Sequence, residues 1–418
     1  MAFQQGLSGL NTSAKALDVT GNNIANSSTV GFKAASSHFG DVYANSLSGS
    51  GANQVGIGVN LAAVVQQFSQ GNITTTNNPL DLSINGDGFF RMDNNGAITY
   101  TRNGQFHTDK DGFIINDQAL KLTGFAVDVN GMIVNAAPVP LQISSAQIAP
   151  RATSDPLAGD IKAVINLDSR ESDPITSPFV FTDPETYNYT TSLSVYDTLG
   201  VAHTLTTYYV RTTTPGVPPA PDTVEWIVHA TLDGATPQVV GSLEFNTSGA
   251  LTTGPGYALP TFNLTTGALT PWSPGTIDFT GTTQYGSPSG VEDLAQGGYT
   301  SGRLIGLRVT SDGMVQGRYS NGQTRNQGQV VLTGFNNPNG LSPQGNNQWI
   351  ETSLSGPPLI GAPNTASLGV LQSASVEESN VDLTAELVNM ITQQRNYQAN
   401  AQTIKTQDSI MNTLVNLR

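Results

Sequence analysis

Length, composition and charge place the chain among folded proteins with a weakly charged surface. It has 418 residues, of which 37% are hydrophobic and only 11% charged, and it contains no cysteine. This length and apolar share suffice for about two to four domains with cores, and the missing cysteines exclude disulfides, thiol catalysis and thiolate metal sites. The formal net charge of −14 disfavours binding to nucleic acid or to an anionic membrane surface.

The N-terminal segment MAFQQGLSGLNTSAKALDV has neither the basic start nor the apolar core of a signal peptide. No later segment approaches the ~20 apolar residues needed to span a bilayer. We therefore expect no cleaved signal peptide and no membrane insertion.

The first two dozen residues predict one amphipathic helix. Apolar or small residues recur at alternating intervals of four and three, as in the seam of a coiled coil, at Phe3, Leu7, Leu10, Ala14, Leu17, Gly21 and Ile24. The next stretch, NNIANSSTVGFK, contains asparagines and Gly31, which are residue types that end helices and tolerate a left-handed backbone. It predicts a helix stop followed by a turn.

Residues from about 55 to 140 predict a series of β-hairpins. Short alternating apolar runs are separated by Asn-Gly and Asp-Gly turns, the strongest local hairpin signal, in SINGDGFFRM, AITYTRNGQF and HTDKDGFIIN. The same pattern returns near residues 300–350, so the two stretches predict two halves of one β domain. A glycine-rich stretch without a nucleotide-binding spacing, with Gly49, Gly51, Gly56 and Gly58, predicts a flexible linker.

The stretch from 150 to 286 is rich in Pro, Thr and Ser and has its own predicted strands, at 190–196, 202–212, 223–232 and 239–245. Such a segment is typical of a domain inserted into the first β domain.

The C-terminal end predicts a second amphipathic helix, capped by Asp382 or Ser379. Its apolar row contains Leu383, Leu387, Met390, Gln394, Tyr397, Ala401 and Ile404, and continues through Met411 and Leu414 to Leu417. Because matching seams stand at both ends of a helix-poor chain, we expect the two helices to meet each other or copies of themselves in neighbouring subunits.

The predicted fold class is mainly β with α-helical termini, with nested β domains and paired N- and C-terminal coiled-coil-like helices. The predicted domains are an inner helical core (1–28 and 376–418), a connecting segment (29–75 and 362–375), a middle β domain (76–149 and 287–361) and an inserted outer β domain (150–286). This nesting brings the chain ends together.

No motif for catalysis, a cofactor or a metal ion emerges from the sequence. His38, His107, His203 and His229 lie far apart and lack metal-site spacing, and DKDG at 109–112 lacks the flanking acids of a calcium loop, so it predicts a hairpin turn. We expect a protein that is not an enzyme. A solitary β-rich exported or adhesin-like protein is an alternative at this stage, but it leaves the two terminal seams unexplained.

The sequence resembles the rod and hook family of axial proteins of the bacterial flagellum. The N-terminal family motif, an Asn-Asn-x-Ala-Asn run followed by Thr-x-Gly-Phe-Lys, is matched by Asn22, Asn23, Ala25, Asn26, Thr29, Gly31, Phe32 and Lys33. The run from Ser379 to Arg418 is similar to the family's C-terminal signature. SVYDTLGVAHTLTTYYV and GRYSNGQTRNQGQVVLTGFNNPNGL are similar to segments of hook members, which favours a hook subunit over a distal rod subunit. The resemblance is weakest between about 210 and 285.

The resemblance implies a structural subunit that polymerises with itself into a flexible helical tube, the hook. This tube would join rod to filament as a universal joint, transmit torque and enclose the export channel. The implied partners are the distal rod, hook cap and hook-filament junction proteins and the flagellar type III export apparatus, which would release the chain outside the cell without cleaving a signal peptide. The residues expected to hold the polymer are Phe3, Leu7, Leu10, Leu17, Ile24, Leu383, Leu387, Met390, Tyr397, Ile404, Met411 and Leu414. The motif run would form the turn where the chain leaves the inner tube, anchored by Phe32.

Overall fold

The structure, a computed structural model, describes residues 2–42, 56–128, 131–134, 136–214, 223–254 and 256–416. Strands predominate, and the two long helices stand at opposite ends of the chain, with α1 at Ala2–Ala25 and α2 at Leu383–Asn416. The predicted fold class, mainly β with helical termini, is confirmed.

The first β stretch follows α1. Its strands are β1 (Ala35–Val42), β2 (Gly58–Gln66), β3 (Ile73–Thr75), β4 (Leu82–Asn85), β5 (Phe89–Asn94), β6 (Ala97–Thr101), β7 (His107–Thr108), β8 (Ile114–Ile115), β9 (Lys121–Phe125) and β10 (Val139–Pro140). DKDG forms the predicted hairpin turn between β7 and β8, where Asp109 Oδ1 accepts hydrogen bonds from the backbone N–H of Asp111 and Phe113.

The central stretch contains β11 (Ile161–Asn166), β12 (Tyr189–Tyr196), β13 (Ala202–Thr214), β14 (Thr223–Leu232), β15 (Gln238–Glu244), β16 (Gly256–Ala258), β17 (Thr276–Asp278) and β18 (Gly290–Ala295), with a 3-10 turn at Pro184–Thr186. The four strands predicted here are β12 to β15, and each differs from its predicted bounds by at most two residues.

The returning stretch contains β19 (Leu304–Val309), β20 (Met314–Tyr319), β21 (Thr324–Val330), β22 (Leu332–Gly334), β23 (Ser342–Gly345), β24 (Gln348–Ile350), β25 (Leu359–Gly361), β26 (Val370–Ser373) and β27 (Ser375–Glu377), with a 3-10 turn at Pro338–Gly340. Its strands pair with those of the first stretch: β21 with β9, β22 with β5 and β24 with β6. Outgoing and returning chain therefore build one sheet, as the repeated hairpin pattern predicts.

The first of two compact units contains both helices and this sheet. It comprises Met1–Ser145, Ile305–Arg318 and Thr324–Arg418. A buried aromatic cluster packs edge to face within this unit, with Phe89 5.8 Å from Trp349 and Tyr100 4.8 Å from Phe335 between ring centroids. Such contacts add to the hydrophobic stabilisation of the core.

The second compact unit comprises Ala146–Leu304 and Tyr319–Gln323. Two four-stranded sheets, β16-β17-β11-β18 and β12-β13-β14-β15, share one hydrophobic core. The predicted domain division returned the chain to the middle domain at residue 287. The structure instead keeps residues 287–304 in the second unit, because β18 pairs antiparallel with β11.

The segment after α1 contains a strand that the sequence did not predict. The largely polar run ASSHFGDV forms β1 and pairs with β2 in a long antiparallel hairpin. Gly49 and Gly51 of the predicted linker lie outside the described residues, but Gly58 opens β2 and the carbonyl of Gly56 accepts a hydrogen bond from Gln5 of α1. That end of the predicted flexible linker is therefore regular structure packed on α1.

Candidate functional site at the chain termini

The turn after α1 is held by its own polar side chains. Asn26 donates from its backbone and its side chain to the carbonyl of Asn22, and Thr29 donates to the side-chain oxygen of Asn26. Asn23 is buried within the last turn of α1 and brackets Ala35, accepting from its N–H at 3.0 Å and donating to its C=O at 2.8 Å. The helix therefore ends at Ala25 with its next strand already fixed.

Gly31 lies where only glycine fits without strain. Its φ of +70° is left-handed, and a Cβ added there would lie 2.5 Å from the backbone N of Asn103. Its own N–H donates to the carbonyl of Glu377 at 2.8 Å. The N-terminal turn thus touches the last strand before α2, and Phe32 beside it is buried.

A buried ion cluster joins the two ends of the chain at this point. Glu377 is fully buried and binds Lys33 Nζ at 2.6 Å and Arg102 Nη1 at 3.1 Å. The backbone N–H of Gly71 also donates to Glu377 Oε1, and Lys33 donates to the carbonyl of Ser69. Burial lowers the pKa of Lys33, with Glu377 opposing this effect and Arg102 adding to it.

Asn380 completes the link from the C-terminal side. Its side-chain oxygen accepts from the N–H of Ala34 at 2.7 Å, and its amide donates to the carbonyls of Gln67 and Ser69. We call Asn23, Lys33, Arg102, Glu377 and Asn380 the terminal junction. It fixes the exit of α1 and the entry of α2 against the same backbone.

The two helices pack through small side chains. Helix α1 contacts α2, β1 and β2, and its most covered positions form a row offset by one residue from the predicted seam: Gly6, Gly9, Ser13, Ala16, Thr20 and Asn23. A Cβ added at Gly6 would lie 3.1 Å from Ile404 Cγ1, and one at Gly9 would lie 2.7 Å from Asn400 Oδ1. Glycine at these two positions therefore sets how closely the helices approach.

The entry to α2 is capped as the sequence predicts. Asp382 Oδ1 accepts from the N–H groups of Thr384 and Ala385, which satisfies two free donors of the first turn. Ser379, the alternative cap, instead accepts from Val381 ahead of the helix. A second link between the helices comes from Asn23, which donates to Glu386 at 3.2 Å.

The large apolar residues of the predicted seam remain substantially exposed in the single chain. The exposed members are Phe3 (52%), Leu7 (44%), Leu383 (46%), Leu387 (45%), Tyr397 (38%) and Met411 (60%). Leu10, Leu17, Ile24, Met390 and Ile404 are partly covered, and the side chain of Leu414 and all of Leu417 lie outside the described residues. Val388 (59%) and Ile391 (51%), which the sequence reasoning did not single out, extend the exposed apolar surface of α2.

The described part of the chain shows neither a metal site nor a helix suited to span a membrane. No group of three or more His, Asp or Glu side chains there is arranged to hold a metal ion. Neither helix, over its described residues, combines the length and apolar character of a membrane span.

Family models match four segments spread over the chain. The models are "Flagella basal body rod protein" at residues 3–33, "Flagellar hook protein FlgE/F/G D1 domain" at 83–160, "Flagellar basal body protein FlaE D2 domain" at 166–299 and "Flagellar basal body rod FlgEFG protein C-terminal" at 372–417. The first of these covers α1 from Phe3 onwards with its turn, and the last contains α2 with Glu377.

Full-length relatives decide the family. The flagellar hook protein FlgE of Salmonella typhimurium is 39% identical and that of Escherichia coli 40% identical, each over 100% of both chains. The chain belongs to the flagellar hook protein family. It is thus a structural subunit of the bacterial flagellar hook rather than an enzyme, and the full-length match favours this function over the distal rod and adhesin-like alternatives.

Hook proteins of more distant bacteria also match, such as that of Borreliella burgdorferi at 30% identity over 100% of this chain and 99% of the relative. Among solved structures, a crystal structure of the Helicobacter pylori flagellar hook protein FlgE2 is similar, with a TM-score of 0.54, 13% identity, and coverage of 73% of this chain and 100% of that one. At this identity the likeness concerns the fold alone.

Sequence reasoning found the motif turn but missed its partners. Arg102 and Glu377 stand 275 residues apart and neither lies in a pattern that signals burial of a charge. For Lys33 the motif itself was a signal, but nothing local identified the carboxylate that it binds. Asn22 and Ala25 of the motif are exposed, so these two positions have no comparable role within the single chain.

Proposed function

We propose that copies of this chain assemble into the hook through the apolar side chains that α1 and α2 leave exposed. The observation that supports this most directly is that α2, a helix of 34 residues, has no buried side chain among those described. Helices in water are stabilised mainly by packing of an apolar face. A helix of this length, with exposed Leu, Val and Ile, therefore gains its remaining contacts from neighbouring subunits.

The apolar surface chosen for the test is the N-terminal part of α2, which we call the α2 patch: Leu383, Leu387, Val388 and Ile391. Each member is at least 45% exposed. Burying one such side chain contributes roughly 1.5–3 kcal/mol. Clustered apolar exposure of this kind is typical of interaction surfaces.

In the proposed polymer the terminal junction orients the helices, and the α2 patch together with exposed Phe3 and Leu7 of α1 supplies cohesion. Contacts between copies that do not close by rotation generate an open helical tube. The paired helices would line its central channel. By resemblance, the subunit would meet the distal rod, hook cap and hook-filament junction proteins and would leave the cell through the flagellar type III apparatus without cleavage of a signal peptide.

We also propose that the nested domains divide the work of a universal joint. The helices would hold the tube together, and the second unit would tune stiffness and curvature as the tube bends and transmits torque. The Thr- and Ser-rich surface of that unit suits contacts that exchange hydrogen bonds with water at small cost. Replacing residues 147–303 by a short Gly-Ser linker, just outside the Ile148–Gly302 bridge, should leave tube formation intact. Complete loss of tubes would refute this division.

The main experiment is electron microscopy of the purified chain under polymerising conditions. We choose Leu387→Asp with Ile391→Asp, because Ile404, another seam residue, contacts Gly6 within the chain and would confound the result. The matched control is Asn396→Asp with Ala399→Asp, which adds the same charge at exposed positions of the same helix that carry little apolar surface.

About half of each side chain remains to be buried on assembly, so losing both contacts costs about 1.5–3 kcal/mol in sum and should raise the critical concentration for assembly roughly 10- to 10²-fold. The control should still form curved tubes near the parent's critical concentration. If both double variants assemble like the parent, or both fail equally, the α2 patch is not the assembly surface.

A further inference from the structure

A buried histidine between two aspartates lies in the second unit, and the proposed polymer contacts do not use it. The side chain of His203, at the start of β13, is only 5% exposed. Its Nδ1 lies 2.6 Å from Asp233 Oδ2 and its Nε2 lies 3.4 Å from Asp197 Oδ2. Asp197 is fully buried, whereas the Asp233 side chain is half exposed.

The two aspartates organise three loops around this imidazole. Asp197 Oδ1 accepts from the N–H groups of Leu199 and Val201 in the β12–β13 turn, and its Oδ2 accepts from Thr266 in the loop before β17. Asp233 follows β14 in the β14–β15 turn, where its φ is +50°, and it accepts a hydrogen bond from the N–H of Thr204. The imidazole is the group that both carboxylates share.

Water can reach this cluster. A cavity of about 460 Å³ is lined by His203, Asp233, Thr236, Gln238, Thr261 and Asn263, among others. In this lining the titratable side chains are His203 and Asp233 themselves. The segment 259–275, which packs Trp272 beside the imidazole, contains no charged residue, and the cross-strand partner of His203 is Val195.

We propose that His203 is a proton-operated clamp of the second unit, which in its charged form holds the turns at Asp197 and Asp233 and the loop at Thr266 together. When the imidazolium loses its proton, two aspartates remain around a neutral ring, and the bridging charge is gone. The three loops then open more often. This inference concerns the second unit alone and does not depend on how subunits polymerise.

The direction of the pH effect follows from the pKa of His203. Burial acts to lower this pKa, but the hydrogen bonds and charges of Asp233 and Asp197 outweigh burial and raise it above its ordinary value. A histidine with a raised pKa in the folded state stabilises that state fully below the unfolded pKa of about 6.5, and this stabilisation is lost as pH rises through the folded pKa. The clamp therefore loosens on the alkaline side.

The test is amide hydrogen exchange on the full chain between pH 6 and 9, expressed as protection relative to the intrinsic rate. Protection of residues 197–206, 231–236 and 264–270 should fall with rising pH, about tenfold for each unit by which the pKa of His203 is raised. Protection of β11 in the same unit should change less. NMR titration of the four histidines, with His203 assigned by its loss in His203→Gln, measures the pKa directly.

In His203→Gln the pH dependence of these loops should disappear. The matched control is His229→Gln, because burial lowers the pKa of His229, whereas the aspartates raise that of His203, so that the two histidines change charge on opposite sides of the ordinary value. Should His203→Gln fail to fold, Asp233→Asn removes one of the two charges and should reduce both the pKa of His203 and the slope. A pKa of His203 at or below 6.5, or an unchanged slope in the folded His203→Gln protein, would overturn the proposal.

Discussion

Substituting Glu377 should destabilise the first unit far more than substituting the lysine that it binds. The terminal junction buries two cations, Lys33 and Arg102, around one carboxylate, and all three side chains are at most 3% exposed. In Glu377→Gln both cations lose the countercharge that they contact. In Lys33→Met the Arg102–Glu377 pair remains, and the N–H of Gly71 still has its acceptor.

The expected sizes follow from this difference in charge balance. Removing one partner of a buried ion pair costs about 3–5 kcal/mol when it leaves an uncompensated charge. Lys33→Met mainly leaves the carbonyl of Ser69 without the 2.7 Å hydrogen bond from Nζ, a loss of about 1–2 kcal/mol. We therefore expect the free energy of unfolding to fall about 1–4 kcal/mol further in Glu377→Gln than in Lys33→Met.

Urea unfolding followed by circular dichroism at 222 nm suits this test, because both long helices belong to the first unit. A pH series adds a second readout. In Glu377→Gln the pKa of Lys33 should fall further, because its raising partner is lost. A folded pKa below the unfolded value of 10.5 means that stability rises as pH rises towards that value, so the deficit of Glu377→Gln should shrink as the pH is raised from 7 towards 10.5. If Lys33→Met is the more destabilised protein, or the deficit is constant with pH, the charge-balance reasoning is wrong.

Three further predictions concern the turn and the helix entry. Asn23→Ala should lower the free energy of unfolding in urea by about 2–4 kcal/mol, because the N–H and C=O of Ala35 both lose their hydrogen bonds to this side chain. The control Asn22→Ala, at an exposed position, should stay within about 0.5 kcal/mol of the parent. Gly31→Ala should lower the free energy of unfolding by more than the control Gly356→Ala. Gly356 has a similar φ of +76° but open space around its Cβ, so its substitution should cost only the roughly 1–2 kcal/mol of left-handed strain. Equal losses of stability in the two variants would contradict the predicted clash with Asn103. Asp382→Ala should cost about 0.5–2 kcal/mol and accelerate exchange at Thr384 and Ala385, while Ser379→Ala should leave both amides unchanged.

Local signals in the sequence were enough for the hairpins, the strands β12 to β15 and both helices. Asn-Gly and Asp-Gly turns and period-two alternation act within about ten residues, so a single sequence contains them fully. Strand β1 was missed because ASSHFGDV has no apolar alternation. Its formation depends on β2 and on the side chain of Asn23, which are supplied by other parts of the chain.

The register of the helix pair could not be predicted for a different reason. A heptad reading favours large apolar residues at a contact, and it selected the row containing Leu7, Leu387 and Ile404. Within the chain, α2 approaches α1 closely at Gly6 and Gly9, which face Ile404 and Asn400, so of these three residues it is Ile404 that meets a small residue of α1. Small residues give a weak hydrophobic signal, and their role appears only when a second backbone approaches them.

The row of large apolar residues and the row of small residues that contains Gly6 and Gly9 together explain how one helix can serve both the single chain and an assembly. If the large apolar residues closed the α1–α2 contact, few would remain to bind a neighbouring copy. Pairing the helices largely through glycine and polar side chains, and fixing their ends with the buried charges around Glu377, holds the pair in place and leaves most of those residues at least partly exposed. Burial of charge is costly and therefore demands one geometry, whereas apolar contact is non-directional and tolerates small shifts. On this reasoning the directional interactions set the orientation of the helices within each subunit, and the adaptable ones are left for the contacts that must change as a hook bends.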